Sequence, residues 1–202
     1  MKQYLIIILS LFGLMFITAS CKDDSERKQK EIQLKIKQHN DSVFQFLTKN
    51  WKFVIPHPTN ELKQNIDDWS TLNDLKKELI LTPVSTIGAF KKKAEILSQN
   101  ALNVVYQSYP AAVNYPDVKA RYTALLTSIQ NLEMYITVDP IDTKKVGHCI
   151  KEVQNNLRIF YAVMEEELVR TSLPKEEGEQ EMIEEMHEIA LDPTRNANPE
   201  EE

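Results

Sequence analysis

Residues 60–79 read NELKQNIDDWSTLNDLKKEL, with apolar side chains at Leu62, Ile66, Trp69, Leu72, Leu75 and Leu79. Steps of three and four keep all six on one side of an α-helix, whereas a half-buried strand would need alternation by two. Asn60 is placed to cap the start. One amphipathic helix over this stretch cannot bury its own stripe, so it implies partners of the same kind. The rest of the chain supplies them.

Downstream, Thr82-Pro83 offers a cap followed by a proline at the first helical position, where the missing N–H costs nothing. The third helix then carries Ile87, Phe90, Ala94, Leu97, Ala101, Val104 and Val105, and stops near Ser108. SYPAAVNYP, from Ser108 to Pro116, is the longest irregular connection in the body and reads as a crossover at one end of a bundle. A fourth helix comes next, with Val118, Tyr122, Leu125, Leu126, Ile129, Leu132 and Ile136 in register. The restart DPID assigns Asp139 to the cap, Pro140 to the first turn and Asp142 to the acidic first turn that the helix dipole favours. The fifth helix places Val146, Ile150, Val153, Leu157, Phe160, Tyr161, Met164 and Leu168 on one stripe.

Upstream, a first mature helix is expected from about Asp24 to Val54, with Ile32, Ile36, Val43, Leu47, Trp51 and Val54 on one face and His39 in the gap. Its early part, SERKQKEIQLKIKQHND, is thin in apolar residues and reads as a partly exposed stalk. Glycines fall at Gly88, Gly147 and Gly178 in the mature chain, and the common residues are good helix formers. The expected fold is all-α, a single bundle of about five amphipathic helices. Its bounds are residues 32–173, preceded by a signal at 1–20 and a tether at 21–31, and followed by an acidic tail at 174–202.

The tail separates from the body by charge. From Lys22 to Leu173 there are 21 basic and 19 acidic residues, a balance of +2, whereas Pro174 to Glu202 holds Lys175 and Arg195 against 11 acids, a balance of −9. Such a segment is expected to be largely disordered, with one short amphipathic helix built from Met182, Ile183, Met186, Ile189 and Ala190.

The beginning of the chain carries an address. YLIIILSLFGLMFI spans 14 residues, about 21 Å of helix, against the about 30 Å hydrocarbon core of a bilayer. It reads as a secretory signal peptide. Thr18-Ala19-Ser20 then gives the small side chains a signal peptidase admits, and Cys21 comes immediately after. This stretch resembles a bacterial lipoprotein signal, with Thr18 where leucine is commoner, and the resemblance implies lipidation of Cys21. Lys22-Asp23-Asp24 is similar to the lysine-acid-acid tag of surface-exported lipoproteins of the Bacteroidota, which implies display on the outer face of the outer membrane. The resemblance covers residues 1 to about 26.

Elsewhere the chemistry-bearing residues fall into structural roles. Cys149 lies in an apolar helical pattern and is expected in the core. His148-Cys149 is a poor nucleophile–base pair, because adjacent helical residues point about 100° apart. Glu184 and His187 have the spacing of one half of a di-iron site, but the second half is missing from the sequence, so no metal or other cofactor is expected. His39 and His57 read as a bundle-face and a loop residue. Lys76-Lys77, Lys91-Lys92-Lys93 and Lys144-Lys145 read as solvated helix faces, and Trp51 and Trp69 as core. Compartment and charge disfavour nucleic acid.

The functional expectation is a non-enzymatic, lipid-anchored outer-membrane bundle. It meets the membrane through its N-terminal lipid and binds a protein partner of the envelope or an external ligand. The alternative is a structural accessory subunit of an outer-membrane machine facing the periplasm.

Overall fold

The computed structural model describes the backbone of residues 2–172, side chains from Ser25 to Ser172, and Gly178 and Met182 beyond them. Within these residues the chain is helical: α1 (Lys2–Asn50), α2 (Asn60–Ile66), α3 (Ser70–Ile80), α4 (Ile87–Tyr106), α5 (Pro116–Thr137) and α6 (Thr143–Ser172), with a 3-10 turn at Ala111–Val113 and no strand. The all-α bundle expected from the periodicity is the fold. The acidic tail and its Glu184 and His187 lie outside the described residues.

Six helices replace the expected five because the 60–79 stretch breaks in the middle. Trp69 leaves helical geometry (φ −78°, ψ 86°), and its N–H closes the end of α2 on the Ile66 carbonyl at 3.1 Å. Asn73 Nδ2 donates to the Asp67 carbonyl at 2.6 Å and covers a second exposed acceptor. The break redirects the chain while keeping all six stripe residues buried. Leu62 and Ile66 on α2 face α6, and α3 packs its leucines on α4.

Three further boundaries differ from the expectation, each through a hydrogen bond. Thr59, not Asn60, caps α2, accepting from the Leu62 N–H at 3.3 Å. Thr82 does not start α4, because its hydroxyl donates to the Trp51 carbonyl at 3.1 Å and Thr86 caps the helix instead, accepting from the Ala89 N–H at 3.1 Å. Asp139 is likewise diverted: its carboxylate meets Lys91 Nζ at 2.8 Å, and Asp142 takes the cap of α6 through the N–H groups of Lys144 (2.9 Å) and Lys145 (3.2 Å). In each case the residue type expected for the job is near, and the displaced Thr82 and Asp139 tie separate elements together.

The first helix is also corrected. Helix α1 ends at Asn50 rather than Val54, and Ile32 (57% exposed), Ile36 (54%) and Val54 (65%) stay outside the core although Val43, Leu47 and Trp51 on the same stripe are buried. His39 is exposed with them. Periodicity marks the side of a helix that can be buried; only a neighbour buries it. After Asn50 the chain leaves helical geometry and runs along α6, which clamps it: the Val54 N–H donates to Gln154 Oε1 at 2.7 Å and Gln154 Nε2 donates to the Val54 carbonyl at 2.9 Å.

Helices α4, α5 and α6 pack side by side in alternating direction, and the core between them is continuous with Trp51, Trp69, Phe90, Tyr122 and Phe160. Each fully buried leucine of this core contributes about 1.5–3 kcal/mol. Trp51 meets Phe53 and Phe90 edge to face, at 5.8 and 5.4 Å between ring centres. Gly147 lets α1 approach α6, since a Cβ there would stand 2.9 Å from the Phe46 ring.

Candidate functional site

The residues expected to carry the address, Cys21, Lys22, Asp23 and Asp24, have side chains outside the described ones. The helix immediately after them is exposed at every residue from 25 to 42, and burial begins at Val43. About 27 Å of helix, at 1.5 Å per residue, therefore precedes the packed bundle. Glu31 and Lys35 pair along it at 2.8 Å, one turn apart.

This stalk leaves the bundle at a definite pole. The start of α4, the end of α5 and the start of α6 meet there, joined by Lys91 to Asp139 and to the Thr137 carbonyl (3.3 Å), and by the Lys145 ammonium 5.4 Å over the Tyr135 ring. Phe46 of α1 lies on Gly147 at the same end. From Phe46 the chain proceeds along α6 past Gln154 to Thr59, whose N–H donates to Glu165 Oε1 at 2.8 Å. Toward its N-terminus, α1 therefore departs away from the opposite pole. That far pole holds the end of α4, the Ser108–Tyr115 connection, the start of α5 and the end of α6, where the Arg170 guanidinium sits 5.9 Å over the Tyr115 ring.

The far pole carries a groove of about 490 Å³, lined among others by Tyr106, Ser108, Tyr109, Asn114, Lys119 and Thr123. Tyr106 is 78% exposed, and among the described phenylalanine, tryptophan and tyrosine side chains it is the only exposed one. Tyr109 beside it is fixed: its ring lies 4.7 Å from Trp69 and 6.2 Å from Tyr122, with the Lys119 ammonium 5.8 Å over it. Burial pushes its phenol up to about 12. Gln107 belongs to the scaffold, because its Oε1 accepts from the Thr71 hydroxyl (2.6 Å) and its Nε2 donates to the Ser70 hydroxyl (3.2 Å). Reading SYPAAVNYP as a crossover located this pole but not the groove. The signal available was the tyrosine at 106, on the polar side of an otherwise regular stripe.

Other residues singled out from the sequence lie apart from this groove. Cys149 is 2% exposed, and desolvation, with Glu152 as a lesser cause, raises its thiol pKa. A thiol so placed is a weak nucleophile. His148 points its Nε2 at Glu152, 3.4 Å away. Trp51 and Trp69 are buried, each with an indole N–H that has no hydrogen-bond partner among the described residues. His57 is exposed.

The lysine clusters divide. Lys77 pairs with Asp74 and Lys92 with Glu95 on exposed faces, and burial lowers the pKa of Lys76. Lys93 contradicts the expectation of a solvated face: its side chain is 8% exposed and meets Glu78 of α3 at 2.6 Å. It occupies an inward position because that pair joins α3 to α4.

Among the described residues, no group of three or more histidines, cysteines, aspartates or glutamates is placed to hold a metal. Among the same residues, no helix is long and apolar enough to cross a membrane. The chain matches no protein-family model, no curated protein and no solved structure.

Proposed function

We propose that the chain is a lipid-anchored outer-membrane lipoprotein, displayed on the cell surface, that works by binding rather than by catalysis. The observation that carries this reading is the exposed helical segment 25–42 between Cys21 and the first buried residue, Val43. A helix with no packed face has no part in a core; set after a lipidated cysteine, it is a spacer that holds a domain clear of a membrane. Attachment by one acyl group is marginal, and a bacterial lipoprotein anchor has more than one chain, each buried methylene adding about 0.8 kcal/mol. The bundle then bears the binding surface.

Cys21 and the three charges after it supply the test. Labelled fatty acid enters the wild type and not Cys21→Ala; a mature protein that starts at Cys21 and takes up no label refutes the anchor. Replacing Lys22, Asp23 and Asp24 by alanine changes stability by no more than about 0.5 kcal/mol, since these positions precede the core. Protease added to intact cells digests the wild type and spares the triple variant. Protection of both until lysis puts the bundle in the periplasm and favours a structural subunit of an envelope machine.

A further inference from the structure

We propose that the groove at the pole opposite the stalk is a carbohydrate-binding site, which takes a short segment of an extended polysaccharide. Sugar rings present weakly polarised C–H faces and hydroxyl edges. The first suit the electron-rich face of an aromatic ring, and the second suit amide, hydroxyl and ammonium groups. The groove offers both kinds: Tyr106 supplies an exposed ring beside the packed Tyr109, and Asn114, Ser108, Thr123 and Lys119 supply hydrogen-bonding groups around it. Its volume, about 490 Å³, lies within the range of small-ligand sites.

The composition of the lining selects among ligands. Among the described residues no carboxylate lines the groove, and Lys119 adds a donor suited to hydroxyl or uronate oxygens. Among the described residues Val105 is its one aliphatic lining, whereas the centre of a protein interface is largely apolar. An exposed tyrosine beside a fixed one also limits the entropy lost on binding, because Tyr109 is already held by Trp69 and Tyr122.

Position supports the same occupant. Helix α5 has 22 residues, about 33 Å, and the groove lies along its first turns, at the end away from the pole from which the stalk departs. A site so placed faces away from an anchor at Cys21, toward whatever lies outside the membrane. This deepens, and rests on, the reading of the chain as an anchored binding protein.

The full chain in detergent micelles is titrated calorimetrically with maltohexaose, cellohexaose, xylohexaose, chitohexaose and hexagalacturonate. At least one of these binds, and binding alters the emission of Trp69 through the adjoining Tyr109 ring. Tyr106→Ala and Asn114→Ala each weaken it tenfold or more while melting like the wild type, and Tyr106→Phe retains most of the affinity. No binding across the panel, or unchanged affinity in both folded alanine variants, overturns the assignment. So does a photo-crosslinking Tyr106→p-benzoylphenylalanine variant that yields only protein adducts on cells. The titration does not depend on acylation of Cys21, so failure to bind sugar and failure to take up fatty acid are separate results.

Discussion

Trp69 joins the broken stripe of α2 and α3 to the centre of the bundle, and its truncation measures that junction. The side chain is 3% exposed and lies against Tyr109 and Phe160, 4.7 and 6.4 Å away between ring centres. Truncating such a residue to alanine typically costs about 3–5 kcal/mol. Against this stands the buried indole N–H, without a partner among the described residues, a penalty of about 1–3 kcal/mol that alanine removes. Taking the middle of each range, the net loss expected for Trp69→Ala is about 2 kcal/mol, a sizeable part of an ordinary domain's stability. With a urea slope of about 2 kcal/mol/M, the midpoint falls by about 1 M. Trp69→Phe keeps most of the ring, discards the unpaired donor, and stays within about 1 kcal/mol of the wild type. Both are read by circular dichroism during urea titration of the full chain. An unchanged midpoint for the alanine variant refutes the burial; a phenylalanine variant as damaged as the alanine one refutes the orphaned donor.

Two other perturbations address charge. Glu78→Ala leaves the Lys93 ammonium buried without its carboxylate and lowers stability by about 3 kcal/mol in thermal melts, whereas the double variant Glu78→Leu with Lys93→Met stays near the wild type; equal losses in both refute the account of the pair. Burial pushes the phenols of Tyr109 and Tyr161 up to about 12 and raises that of Tyr122 in the same direction. The unfolded chain ionises its tyrosines near 10, so the folded state holds more protons above that pH. The stabilisation is full below about pH 10 and lost as pH rises toward 12. A urea midpoint as high at pH 11 as at pH 8 contradicts this.

Helix type was legible from period alone, and core membership wherever a neighbouring helix covers the expected side. Every residue of the stripe from Val146 to Leu168 is buried, as are six of the seven on the fourth, where only Leu126 stays partly exposed. Both stripes need no more than a neighbour on the expected side. Boundaries were less legible, since they turn on competition between equivalent groups. Thr59 and Asn60, Thr82 and Thr86, and Asp139 and Asp142 are each pairs of competent caps, and tertiary partners such as the Trp51 carbonyl and Lys91 draw Thr82 and Asp139 away from theirs. The break at Trp69 was hidden for a related reason, because a continuous helix and a bent pair bury the same six residues.

The lysine run 91–93 separates what sequence can and cannot assign. Three identical neighbours have three different fates: Lys91 reaches the α5–α6 connection, Lys92 pairs on its own helix, and Lys93 enters the interface with α3. On a helix, consecutive side chains diverge by about 100°, so a local run cannot share one environment. Only the position of α3 determines which member is desolvated. The groove at the far pole is the same problem in reverse: Tyr106, Tyr109, Asn114 and Lys119 are dispersed along α4, the connection and α5. Their nearness comes from the antiparallel packing of those helices, and so does the direction in which α1 departs. The bundle thus acquires a polarity, with the stalk at one end and the groove at the other, that belongs to no single segment and arises when α6 clamps residues 51–59 along its length.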